Sequence, residues 1–104
     1  MQLNEDHLRQ CKNRSVPDLM IAFSYFKGNL LIVVVSMVLN HPECRDEDRI
    51  WMLENLTDAD RMLVAVNAIN SDRVLSNELL SAIVHCTEGS IAVQAATMLA
   101  ERVA

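Results

Sequence analysis

Nine of the ten residues from Leu30 to Leu39, LLIVVVSMVL, are apolar, and the tenth is Ser36. No face of such a segment meets water comfortably, so the pattern predicts a central element surrounded by protein. Its consecutive valines Val33, Val34 and Val35 favour extended backbone. Yet no second strand-like run occurs elsewhere to pair with it, and a lone strand would leave backbone N–H and C=O groups unpaired in the core. The segment is therefore expected to be a buried central helix, entered from Asn29.

The other segments alternate in helical rather than strand period. Residues 4–13 read as a thin surface helix with Leu8 and Cys11 inward, Glu5 and Asp6 at its start and Arg9 and Lys12 near its end. Ser15-Val-Pro-Asp18 carries the marks of a helix start, and the helix it opens is expected to cover Leu19 to Phe26 and stop at Gly28. Asn40-His-Pro-Glu43 has the same grammar, with Asn40 as cap and Glu43 reaching back, before a helix to about Asn55. In that helix Ile50, Leu53 and Leu56 are expected inward, with Trp51 or Met52 at the edge. Thr57 caps a further helix with Ala59, Met62, Leu63, Val66 and Ile69 on one face. Ser71 is expected to open the next, with Leu75, Leu79, Ala82, Ile83 and Cys86 together. Gly89 closes it, and Ser90 caps a last helix that places Ala92, Ala95, Ala96, Leu99 and Val103 on one side.

The segments SIAVQAATMLAERV and TDADRMLVAVNAI resemble helices of HEAT or armadillo repeats, on apolar spacing that packed helices share. The resemblance covers about a quarter of the chain and implies an array of helices joined by short turns. The expected fold is thus all-α, a compact single-domain bundle or short repeat-like array of five to seven helices across residues 1–104, with 1–14 peripheral.

Composition agrees with this. Only two Gly and two Pro occur in 104 residues, too few for a β-protein that turns every ten residues or so. Half the residues are hydrophobic, enough for one core. A membrane span is disfavoured because Lys27-Gly-Asn29 interrupts the apolar region and leaves pieces too short to cross about 30 Å of hydrocarbon. Residues 1–14 are polar and lack the apolar stretch of a signal peptide, so a cytoplasmic location is expected.

Charge placement carries the functional expectation. Residues 43–60 hold seven acids, Glu43, Asp46, Glu47, Asp48, Glu54, Asp58 and Asp60, against Arg45 and Arg49. That matches the net charge of −5 of the whole chain. Direct nucleic-acid binding is disfavoured, since phosphate contacts need clustered Lys and Arg. The same stretch contains Trp51 and Met52, residue types that interfaces favour. These nine residues are therefore the expected contact for a protein with a basic surface. The expected role is a non-enzymatic interaction module such as a small adaptor, a chaperone, or an inhibitor or immunity-type antagonist. Self-association through the Ala-rich face of the last helix is a further expectation.

An enzyme is the alternative. Each histidine has a cysteine nearby: His7 with Cys11, His41 with Cys44, and His85 beside Cys86. Such pairs suit a zinc site or a Cys–His dyad. The three pairs are dispersed, however, and lack CxxC or HxxxH spacing, a strained glycine turn and an oxyanion loop. No cofactor is expected, and the odd cysteine count argues for reduced thiols.

Overall fold

The computed structural model describes residues 14–103, apart from the side chains of Asp58 and Val103. Among the described residues every regular element is a helix, and no strand forms. The expected helix at 4–13 lies outside them. Six helices follow in order: α1 (Val16–Ala22), α2 (Gly28–Leu39), α3 (Asp46–Asn55), α4 (Asp58–Ile69), α5 (Asn77–Cys86) and α6 (Ser90–Val103). This is the all-α architecture that the periodicity implies. Contacts divide the chain into two units, Met1–Cys44 and Arg45–Ala104.

In the first unit α1 packs on α2. Ser15 caps α1 by accepting the Asp18 N–H at 3.4 Å, and Pro17 occupies the first turn, where a missing N–H costs nothing. The helix stops at Ala22, short of the expected Phe26, and loosens into turns in which the N–H groups of Phe23, Ser24 and Tyr25 reach back only three residues. Gly28 does not close α1. It opens α2 at φ +59°, a left-handed conformation that glycine adopts without steric cost.

The central apolar run is helical, and its burial is one-sided. Val34, Val35, Val38 and Leu39 are buried, whereas Ile32 and Val33 are 40% and 43% exposed. The expectation of an element with no wet face is corrected here, because valine in a helix can present itself to water wherever no neighbour covers it. Ser36 needs no outside partner, since its hydroxyl donates to the Ile32 carbonyl at 3.0 Å within the same helix.

Asn40 ends α2 rather than starting α3. Its backbone N–H and its side-chain amide both donate to the Ser36 carbonyl, at 3.0 and 2.9 Å. Pro42 follows two residues later, a common place for proline beyond a helix end. The true start of α3 is Arg45, whose N–H donates to the Asp48 carboxylate at 2.9 Å, the return half of a capping box.

In the second unit α3 packs on α4 and α5, and α6 packs on α4 and α5. The buried face of α4 is Asp60, Val64, Ala65 and Ala68, and Met62 and Val66 stand outward. This rotates the helix from the expected Met62–Val66 face. The helix is apolar around most of its circumference, so spacing alone did not choose, and small Ala65 and Ala68 allow the closer approach. Ser71 closes α4, its hydroxyl donating to the Ala68 carbonyl at 2.7 Å. Ser76 opens α5 instead, accepting the Leu79 N–H at 3.1 Å. Leu75 before that cap and Leu80 four residues after it are both buried, the positions of a hydrophobic staple.

Leu79 and Ile83 continue the buried face of α5. Gly89, at φ +73°, takes the turn into α6, and its carbonyl accepts the Val93 N–H at 3.2 Å. Ser90 is thus the first residue of α6 rather than its cap. Ile91 and Ala95 are buried on α6 but Ala96 is exposed, contrary to the expected alanine face. No helix among the described residues is long and apolar enough to cross a membrane.

Candidate functional site

The acidic start of α3 separates into inward and outward groups once the helix is built. Arg49, Met52, Leu53 and Leu56 form the buried side. Glu47, Trp51 and Glu54 are all exposed, and their i, i+4, i+7 spacing places them in one row. Trp51 is 43% exposed in the middle of that row. The row was legible in the sequence from spacing alone, although counting acids between 43 and 60 obscured it.

Asp46 is not part of the outward row. One carboxylate oxygen accepts the backbone N–H of Ser76 at 2.9 Å, and the other lies 2.9 Å from an Arg73 guanidinium nitrogen and 3.7 Å from one of Arg49. It anchors the loop before α5 to the start of α3. Asp48 is half-buried and occupied by the Arg45 N–H. Asp60 is buried and accepts the Thr57 hydroxyl at 3.1 Å.

Met52 is fully buried, so its expected place in a contact surface is corrected: it lies between two core positions of α3 and fills the interior. Asp46 and Asp60 are likewise corrected from contact residues to internal hydrogen-bond acceptors. Glu43 is exposed but belongs to the first unit. Asp58 is the first residue of α4, and its side chain lies outside the described set.

Glu54 also borders a shallow concavity of about 280 Å³ shared with Glu78, Ser81, Ala82, His85 and Cys86. Glu78 therefore adds a carboxylate to the outward acidic surface from α5. Sequence reasoning missed it because it is twenty-four residues away and sits singly in its own helix start. A second concavity of about 330 Å³ lies among Arg61, Met62, His85, Cys86, Thr87 and Glu88. Both meet at His85 and Cys86.

His85 and Cys86 show no hydrogen bond to each other. His85 and Cys86 are consecutive on a helix, hence about 100° apart around its axis. The His85 Nδ1 donates to the Ser81 carbonyl at 2.8 Å, which turns the ring along its own helix. The His41 ring bridges two backbone groups, with Nδ1 accepting the Glu43 N–H at 3.0 Å and Nε2 at 3.2 Å from the Arg14 carbonyl. A carbonyl only accepts, so the proton is on Nε2. Cys44, three residues after His41, is buried and forms no disulfide. His7 and Cys11 lie outside the described residues. Among the described residues no three His, Cys, Asp or Glu side chains form a group that could hold a metal ion.

The fold and this surface define, among the described residues, an all-helical protein with an exposed acidic and aromatic row on α3. Comparison with protein-family models, with curated protein sequences and with solved structures found no match for it.

Proposed function

We propose that this chain is a non-enzymatic protein-binding module that uses the outward face of α3 against a basic surface on another protein. One observation carries the reading. A tryptophan stays 43% exposed between two exposed carboxylates of the same helix face. Leaving a large aromatic ring in water forgoes burial that the fold would otherwise gain, and partly wet tryptophan is a common interface anchor. Flanking carboxylates attract a cationic partner and speed its encounter. An adaptor, a chaperone, and an inhibitor or immunity-type antagonist that covers a basic site all fit this surface.

Affinity capture with the wild-type chain and with a Glu47→Lys/Glu54→Lys variant tests the proposal. A defined partner, held by the wild type at low salt, released at high salt and not held by the variant, is the expected result. Equal retention by both chains places the binding face elsewhere.

A further inference from the structure

We infer that the outward face of α2 is a contact for a second copy of this chain, whose own α2 lies antiparallel across it about a two-fold axis. The inference concerns the first unit and stands apart from the reading of α3.

The face follows from the one-sided burial of α2. Val34, Val35, Val38 and Leu39 are buried, and at about 100° per residue they fill one side of the helix. Asn29, Val33, Ser36 and Asn40 run down the opposite side, with Ile32 on one flank and Leu30 and Met37 on the other. Ile32 and Val33 are exposed, and Leu30 and Met37 are half-buried.

This strip is suited to being dried. The Ser36 hydroxyl donates to the Ile32 carbonyl at 3.0 Å, and the Asn40 amide donates to the Ser36 carbonyl at 2.9 Å. A hydroxyl whose donor is already used escapes the desolvation cost that an unpaired one carries. Val33 and Ser36, small residues at the middle of the strip, let a second helix axis approach to about 8–10 Å.

The symmetry of the pattern selects a second copy as the occupant. A two-fold contact places residue i on j and j on i. Asn29 with Asn40 and Val33 with Ser36 share one midpoint, between Val34 and Val35. Ile32 with Ser36 and Leu30 with Met37 fall within one residue of it. Across such an axis each flank meets the same flank of the second copy, so Leu30 pairs with Met37 and Ile32 with Ser36.

The charges obey the same axis. Lys27 precedes α2 and Glu43 follows it, both exposed, with their midpoint at Val35. Among the described residues neither has an ion-pair partner in its own chain. The His41 ring holds the Glu43 backbone by accepting its N–H at 3.0 Å. Antiparallel pairing brings each lysine to the glutamate of the second copy, and it sets opposite helix-dipole ends side by side.

Sedimentation of the full chain from about 1 to about 300 μM tests the inference. One helix pair is a small contact, so a monomer–dimer equilibrium in the micromolar range is expected. Val33→Asp, which sets a carboxylate at the centre of the contact, should weaken the dimer about tenfold or more with an unchanged far-ultraviolet spectrum. Lys27→Glu and Glu43→Lys each bring like charges together and should weaken self-pairing about threefold or more. Mixing those two variants makes both facing pairs opposite in charge again, and the dimer should return.

A monomer at every concentration would overturn the inference and leave the face to another protein. A dimer indifferent to Val33→Asp would overturn it by placing the contact elsewhere. Failure of the mixed charge variants to regain pairing would overturn the antiparallel arrangement. The charge variants lie on the surface, so they decide the question even if Val33→Asp fails to fold.

Discussion

The Asp46 carboxylate accepts the backbone N–H of Ser76 at 2.9 Å across thirty residues of chain. An acid that the sequence places in a solvated acidic run is thereby a tertiary clamp, joining the start of α3 to the cap of α5. Replacing Asp46 with Ala should cost about 1.5–3 kcal/mol, the range for a hydrogen bond to a charged group. The ion pair with half-exposed Arg73 adds little to that. Glu47→Ala, on the exposed side, should change stability by less than about 0.5 kcal/mol. Equilibrium urea unfolding of both variants checks the contrast, and equal midpoints would refute the clamp.

This contrast also marks how far the sequence could be read. Helix class and most helix locations follow from apolar spacing and from the scarcity of Gly and Pro. Ser15 is the kind of cap that local sequence identifies correctly. Asn40 and Ser71 are the kind it does not, because Asn and Ser satisfy orphan groups at either end of a helix and only the neighbouring packing decides which. The rotation of α4 has a similar cause, since a helix apolar almost all round gives spacing no single face to choose. Glu78 and the Asp46–Ser76 bond are long-range, and charge counted within a window carries no such information.

Val34 and Val33 are neighbours in sequence with opposite environments, fully buried against 43% exposed. Val34→Asp should prevent folding, because an unpaired buried carboxyl costs several kcal/mol against a total stability of about 5–15 kcal/mol. Val33→Asp should remain folded and lose less than about 1 kcal/mol. Soluble yield and thermal melting by circular dichroism distinguish them. Loss of folding in both variants would mean that α2 is covered on every side after all.

Gly28 and Gly89 have positive φ, and an added Cβ would meet nothing within 4 Å at either position. The cost of Gly→Ala is therefore conformational rather than steric crowding by neighbours, about 1–2 kcal/mol at each. Asn tolerates the left-handed region better, so Gly89→Asn should be milder than Gly89→Ala. Denaturant midpoints in the order wild type, Asn, Ala are expected, and an Ala variant as stable as the wild type would contradict the assigned backbone.

Cys86 is half-exposed where two concavities meet, whereas Cys44 is buried. In a Cys11→Ser background, which removes the thiol outside the described residues, a disulfide reagent should modify Cys86 in the native protein and Cys44 only on unfolding. Mass spectrometry of the labelled peptides makes the assignment. Cys44 reacting as fast as Cys86 without denaturant would show that the turn after α2 opens readily.

Reversing the outward acids tests what they do kinetically. Glu47 and Glu54 are exposed and lie outside the Asp46 clamp, so Glu47→Lys/Glu54→Lys should leave the far-ultraviolet spectrum unchanged and shift stability by about 1 kcal/mol or less. Exposed charges steer encounter more than they hold a complex together, because solvent and salt screen them once the partner is seated. With an isolated basic partner, the double variant should therefore associate about tenfold or more slowly at low ionic strength while its dissociation rate changes less. Added salt should slow the wild type and leave the variant level or faster, since its residual interaction with a cation is repulsive. Stopped-flow mixing across a salt series, followed by Trp51 emission, gives both slopes. Parallel slopes for the two chains would mean that the acids of α3 serve solubility alone, and the contact would then have to be sought away from Trp51.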